Sequence, residues 1–409
     1  MLTQGYKTQM IFLVFAAFIA LAGCVKSNQN SANETQTGSG GKVFPRKGVW
    51  LSLTGSSVML SRENLKTAIQ TLHTMGINTI YPVVWTKGLT TYNSKSLENL
   101  IGLPADPRLE GRSVLSETFA ILKETGISMD VIPWFEYGLK VYLGLSEDQA
   151  KATLVGPSSA LAPEFRFAHV MHKKGQLVRH PLEGQVIWFD PHMKAYYGFL
   201  DPSSTLVRGF VRGLVDEVTT HHPVSGIQFD DHFSVHKSFG PWLLRYFVSR
   251  AIVGFAKDIA DTAKSNQVLV RQISPAGLHE FSKEHWMQDW QTFLRTDAFN
   301  ELVLQAYRED LGDFQRLVSE PSTWQQAPRG ARSVGIYAGT PSAPRSTDLL
   351  VSQIEVARNR QLGVNFFHYD PLVLKPSGQV DQERLGAIRE ALSKPWICHQ
   401  DLLSFCGKP

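Results

Sequence analysis

Two adjacent carboxylates close a short apolar run at Ser225-Gly226-Ile227-Gln228-Phe229-Asp230-Asp231-His232-Phe233. A β-branched and aromatic stretch that ends abruptly in acids reads as a buried strand delivering carboxyl groups to its C-terminal end. Strand side chains alternate, so Ile227 and Phe229 share one face and Gly226, Gln228 and Asp230 the other. The apolar pair is expected against covering helices, which makes Asp230 the inward carboxylate unless the chain turns before Asp231. Charges placed there are costly without partners, and the plain alternative is an acidic cap on the following helix. Another acid, Glu136, ends the run Ile127 to Tyr137 between Trp134 and Tyr137. Two carboxyl groups flanking one bond, a proton donor and a nucleophile or base, are the equipment for breaking a glycosidic linkage. Apolar neighbours such as Trp134 and Tyr137 raise a carboxyl pKa by desolvation, which favours a protonated acid. Glu136 is therefore expected to be the acid and Asp230 the ionised partner. Asp231 stands as the substitute for Asp230, and Asp370 as the substitute for Glu136; an ion pair is the plain alternative for Glu136.

Groups so far apart in the chain meet only if their strands end on one side. Strands are expected at Lys47 to Leu53, Ile77 to Trp85, Ile127 to Tyr137, Gly226 to Asp230, Val268 to Pro275, Glu301 to Tyr307, Ala331 to Gly339 and Gly363 to Asp370. Helical spacing of apolar residues falls between them, as in Leu65, Ala68, Ile69 and Leu72 after Ser61, and in Leu206, Phe210, Leu214 and Val218 after Asp201-Pro202. Eight strands with intervening helices predict an α/β chain folded as a (β/α)8 TIM barrel, with a long aromatic-rich insertion after the third strand. An open doubly wound sheet is the competitor, but no Gly-rich phosphate loop follows the first strand. The insertion, Gly138 to Asp201, holds Phe165, Phe167, Trp188, Phe189, Tyr196 and Tyr197; it is expected either to fold over the mouth or to form its own small core.

In such barrels the chemistry sits at the C-terminal strand ends. Those ends collect Ser52, Trp85, Trp134, Glu136, Asp230, Asp231, Ser274, Gln305, Tyr307, Tyr337, Asn365 and Asp370. Acids, amides and aromatic rings together suit a sugar, since rings cover the apolar faces of pyranose units and the polar groups bind hydroxyls. Trp85, Trp134, Gln305, Tyr307, Tyr337, Asn365 and Asp370 are the expected substrate-binding residues.

The chain ends carry other information. Lys7 precedes an apolar run from Met10 to Ala20, followed by Leu21-Ala22-Gly23-Cys24. Residues 1–23 read as a signal peptide whose ending resembles a bacterial lipobox, which makes Cys24 the lipidated N-terminus of the mature chain. Residues 24–42 are a polar flexible tether. The stretch 43–409 is one domain with a C-terminal extension. Several acyl chains anchor stably, so the protein is expected on a membrane of the bacterial cell envelope, the outer membrane or periplasmic face favoured by Val25 after the cysteine. Cys398 and Cys406 remain, either as a disulfide pair or as two free thiols.

Among 409 residues, 43% are hydrophobic and 19% charged, with a thinly spread net charge of +4. No dense basic run sits beside an aromatic platform, which disfavours nucleic acid as a partner. His221, His222 and His232 lie near acids, but no HExxH or matched cysteine set supports a metal, and no Gly-x-Ser-x-Gly elbow marks a serine hydrolase. The expected cofactor list is empty.

The segments KGVWLSL, VIPWFEYG, FLDPSSTLVRGFVRGLVDEV, GIQFDDHF, ISPAG, LVLQAYR and GVNFFHYDP, in that order, resemble the glycosyl hydrolase-like lipoprotein family of bacterial envelopes, once catalogued as a domain of unknown function. The resemblance runs from Lys47 to about Asp370. It implies a TIM-barrel hydrolase of glycans, with cell-wall polysaccharide the first substrate to test. Members commonly carry Asp-Gly-Ile before the paired Asp; here Ser225 stands at that first position. The Asp-Asp and Gln-x-Tyr strands are also similar to those of barrel chitinases, whose terminal Glu position is occupied here by His232. The competing class is a non-catalytic carbohydrate-binding or scaffold lipoprotein that keeps the barrel.

Overall fold

The computed structural model of the chain describes residues 45–396, apart from 181–182, 240–241 and 329. The leader, Cys24, the tether, Cys398 and Cys406 lie outside the described residues. Eight parallel strands close on themselves: β1 (Lys47–Leu51), β2 (Thr79–Thr86), β3 (Asp130–Val131 and Trp134–Phe135), β4 (Gly226–Asp230), β5 (Val270–Ser274), β6 (Glu301–Gln305), β7 (Arg332–Tyr337) and β8 (Gly363–Phe367). Each pairs with its sequence neighbour, and β8 pairs with β1 to complete the barrel. β3 comes in two pieces because Pro133 has no N–H to give to the ladder. All eight residues of β2 are buried, as expected for a strand with lumen on one side and helices on the other.

The outer shell contains α1 (Arg62–Thr74), α2 (Val114–Thr125), α3 (Thr205–His221), α4 (Trp242–Ser265), α5 (Trp290–Arg295), α6 (Leu311–Ser319), α7 (Thr347–Asn359) and α8 (Gln382–Ser393). Their starts were written locally: Ser61, Ser113, Ser204 and Ser346 each accept a hydrogen bond from a first-turn N–H. α2 stops at Gly126, whose φ of 67° suits a residue without Cβ. Between β5 and β6 the chain forms two short helices, His279–Trp286 and α5, separated at Met287 with φ 50°. No helix among the described residues is long and apolar enough to cross a membrane.

The lower lumen is filled by one chain of polar side chains. Trp50 Nε1 donates to Gln228 (2.6 Å), Gln228 to Gln272 (2.8 Å) and Gln272 to Glu301 (2.6 Å); Arg46 closes the chain on Glu301 (2.6 Å) and Asp130 (2.7 Å). Ser225 lies at this end as well, its hydroxyl accepting from Val131 N at 3.2 Å. That is five residues, roughly 16 Å of strand, from Asp230.

The insertion is a layer of its own. Lys140–Gly144, Trp188–Asp190 and Ala195–Phe199 form a three-stranded antiparallel sheet, accompanied by helices Glu147–Val155 and Pro163–Lys173. Of the two expectations, its aromatic contacts follow the small core of its own, with a further contact to the outer shell rather than to the mouth. Tyr142, Phe165, Tyr197, Trp188 and Phe199 pack on one another, whereas Phe167 packs on Trp85 and Phe210 of the barrel wall.

Candidate active site at the barrel rim

The alternation read from β4 holds in three dimensions. Phe229 stacks outward on Phe135 at 4.7 Å, while Gln228 and Asp230 face the lumen. Trp134 of β3 faces inward in register with Gln228, and Glu136, in the turn that follows β3, lies next to the end of β4 that carries Asp230. Asp230 is 4% exposed and accepts from Trp134 Nε1 and from His232 N, both at 2.9 Å. Asp231, beyond the strand end, is only partly buried and accepts from the Gln305 amide at 2.9 Å; that amide also donates to Ser274 O. Glu136 is 8% exposed and accepts from Thr86 Oγ1 at 2.5 Å.

The charges are uneven. Burial pushes the Glu136 carboxyl up to about 7, with Asp231 adding to the rise and Thr86, Lys87 and Lys140 opposing it. Asp230 is raised well above the usual carboxylate range, first by burial and then by Asp231 and Glu136. Asp230, expected from the strand pattern as the ionised partner, thus lies where burial and two neighbouring carboxyls favour its neutral form. Two carboxyls this close do not both ionise freely, and Asp231 is the one that meets solvent and an amide donor. Burial and Lys140 hold the His232 imidazole down to about 4.

Aromatic rings surround these acids. Phe367 lies 6.1 Å from Trp50, 6.0 Å from Trp134 and 5.7 Å from Tyr307, and Tyr307 lies 5.7 Å from Tyr337. Tyr307, Tyr337 and Phe367 are partly exposed, so solvent reaches this part of the rim. Trp134, Gln305, Tyr307 and Tyr337 are therefore brought together with Glu136, Asp230 and Asp231.

Three expected substrate-binding residues are placed elsewhere. Trp85 is 2% exposed, its ring packed edge-on to Phe167 and Phe210 outside the barrel. The cause is a register shift in β2, where Val83 pairs with Trp134 but Trp85 pairs with the outward Phe135. One extra residue reverses the side-chain parity beyond it. Asn365 is fully buried below the rim, accepting from Tyr81 OH at 2.9 Å; the aromatic Phe367, two residues on, holds the position expected of it. Asp370 sits in a short helix, Tyr369–Val373, with its carboxylate taken by the Ser56 hydroxyl, and it joins none of the hydrogen bonds around Glu136.

Thr86, Lys140, His232 and Phe367 are site residues that strand ends alone did not single out as binding groups. Thr86 turns inward only because of the β2 register shift, and Lys140 arrives from the insertion. Asp230, Asp231 and His232 bring ligand-type atoms within 4.8 Å, but both His232 ring nitrogens are engaged, one by Glu136 O at 2.9 Å and the other by Lys140 Nζ at 3.4 Å. That leaves the imidazole no free nitrogen for a cation.

Parallel barrel, carboxyls at the C-terminal rim and a ring of aromatic side chains together define a TIM barrel of the glycoside hydrolase type. The family model described as glycosyl hydrolase-like 10 matches residues 45–246 and 244–347, and the chain belongs to that family. Similar solved structures include the PgaB (BpsB) glycoside hydrolase domain from Bordetella bronchiseptica, at 12% identity and TM-score 0.56, covering 85% of this chain and 99% of that one. The α-L-fucosidase isoenzyme 2 from Paenibacillus thiaminolyticus follows at 12% identity and TM-score 0.55, with 86% of this chain aligned to 49% of that one. The α-galactosidase TtGalA from Thermus thermophilus, at 11% identity and TM-score 0.52, aligns over 86% of this chain and 62% of that one. At these identities the likeness is one of fold. A search of curated proteins found no match.

Proposed function

We propose that this protein is a lipid-anchored glycoside hydrolase acting on an envelope or extracellular polysaccharide, with peptidoglycan glycan strands the first substrate to test. The observation that carries the reading is the meeting of Glu136, Asp230 and Asp231 at an aromatic-lined, solvent-reached barrel rim. The carbohydrate class is supported by the family and by neighbours named as glycosidases. The envelope is supported by the leader and by the lipobox-like ending at Cys24.

In this mechanism Glu136 gives its proton to the leaving glycosidic oxygen. Asp231 carries the single negative charge of the Asp pair and serves as nucleophile or base, oriented by Gln305. Asp230, holding its proton beneath, lets the pair carry one charge rather than two. Tyr307, Tyr337 and Phe367 offer stacking surfaces to the sugar. Because Glu136 must be protonated to act, activity falls as pH rises through about 7.

The deep burial of Asp230 and Glu136 favours a second reading, a carbohydrate-binding lipoprotein without turnover. The mature chain, incubated with a broad glycan panel including stripped peptidoglycan, is expected to release new reducing ends identified by mass spectrometry. Glu136→Gln and Asp231→Asn should each lose that release while retaining glycan binding. Binding by the wild-type chain with no product from any glycan decides for the second reading.

A further inference from the structure

The insertion sends one cation to the rim, and the mechanism above gives it no task. Lys140 is 3% exposed. Its ammonium lies 3.1 Å from Asp190 Oδ2, 3.4 Å from His232 Nε2 and 3.9 Å from the centre of the Tyr197 ring, with the Trp188 and Trp286 rings 5.5 and 5.9 Å away. Burying an ammonium costs several kcal/mol, which one carboxylate and three ring faces offset here. Asp190 is itself fixed, its other oxygen accepting from His192 N and Met193 N.

An ammonium donates and never accepts, so the Nε2 it faces must present a lone pair. The proton of the neutral imidazole then sits on Nδ1, which lies 2.9 Å from the carbonyl oxygen of Glu136. The chain leaving β3 also wraps the His232 backbone. Leu139 N donates to His232 O at 2.9 Å, and a Cβ at Gly138, φ 37°, would lie 2.7 Å from Phe233 N and 2.8 Å from His232 O.

We propose that Asp190, Lys140 and His232 form a clamp through which the insertion fixes the His232 tautomer and holds the Glu136 end of β3 against the Asp231 end of β4. Its catalytic consequence rests on the glycosidase reading; its structural content does not. The three are positioning residues, acting through Glu136 and Asp231. Around the imidazole stand Lys140 and Asp190 from the insertion, Asp231 and Asp230 from its own strand, and Glu136 and Tyr137 from β3. Burial and Lys140 keep the ring neutral across the neutral pH range.

Nitrogen-15 shifts of histidine-labelled full-length protein, with His232 assigned by loss of its signals in His232→Gln, test the clamp directly. The expected result is the Nδ1–H tautomer with no titration between pH 5.5 and 8, in the window about the ordinary histidine pKa of 6.5. An Nε2–H tautomer, or titration near that ordinary value, overturns the clamp. The double variant Lys140→Met/Asp190→Asn removes both charges and leaves neither buried alone. In it His232 should begin to titrate at least about one pH unit higher, and an unchanged titration overturns the proposal. Where wild-type turnover is measured, kcat in the double variant should fall about tenfold or more with KM within about threefold, and the alkaline limb should move upward because Glu136 has lost a neighbouring cation. An equal kcat at every pH overturns the catalytic part. If the wild-type chain hydrolyses nothing, the function reading fails, yet the wild-type tautomer still decides the clamp, as it does if the double variant does not fold.

Discussion

At the bottom of the barrel Arg46 stands between Glu301 and Asp130, and an unbroken run of hydrogen bonds leads from it through Gln272 and Gln228 to Trp50. At the rim, one strand length above, Glu136, Asp230 and Asp231 converge with two amine cations, Lys87 and Lys140, at their edge. Burial works against the Arg46 charge at the bottom, and Glu301, Tyr81 and Asp130 together more than offset it. Burial at the rim is not offset, so two carboxyls there are pushed up. The same strands thus carry one end whose charges are paired, which closes the fold, and one end where burial raises the proton affinity of its carboxyls.

The largest test of that contrast is Asp231→Asn. It should reduce kcat by about 10³-fold or more, some 4 kcal/mol of barrel-rim catalysis, while leaving the urea midpoint unchanged or slightly higher. A stability loss of similar size would place Asp231 with the structural groups instead. Next comes Glu301→Ala, which leaves Arg46 with Asp130 alone and should lower unfolding free energy by about 3 kcal/mol without changing turnover per folded molecule. A pH series sharpens the comparison further. The folded Glu136 carboxyl holds its proton above the unfolded value, so wild-type stability falls as pH rises between about 4.5 and 7. Glu136→Gln removes that penalty, and its advantage over wild type should grow by on the order of 1–3 kcal/mol from pH 5 to pH 8, read from urea midpoints. The smallest effect is expected from Ser225→Asp. At the closed end it should shift stability by less than about 1 kcal/mol and leave rim activity within about twofold. A large gain in turnover would show that the two ends communicate.

Much of this was legible along the chain because strand and helix periods are local. Ile227 and Phe229 against Gln228 and Asp230, Ser113 before α2 and Gly126 after it, and the position of Glu136 two residues beyond Trp134 all follow from alternation and capping. Trp85 and Asn365 show where alternation stops being enough. Strand-end position placed both at the mouth, but a one-residue register shift carried Trp85 into the outer shell, and Asn365 lies one inward position below Phe367.

By itself the sequence determined that eight alternating units would close a parallel barrel and that Glu136, Asp230 and Asp231 would gather at one rim, since hydrophobic period and turn residues act within a few positions. Which carboxyl keeps its proton, which aromatic ring faces the lumen and how Lys140 reaches His232 were decided only by the tertiary structure. Those outcomes depend on burial and on contacts between residues about ninety positions or more apart, as for Lys140 and His232 or Trp134 and Asp230, and no local pattern encodes them.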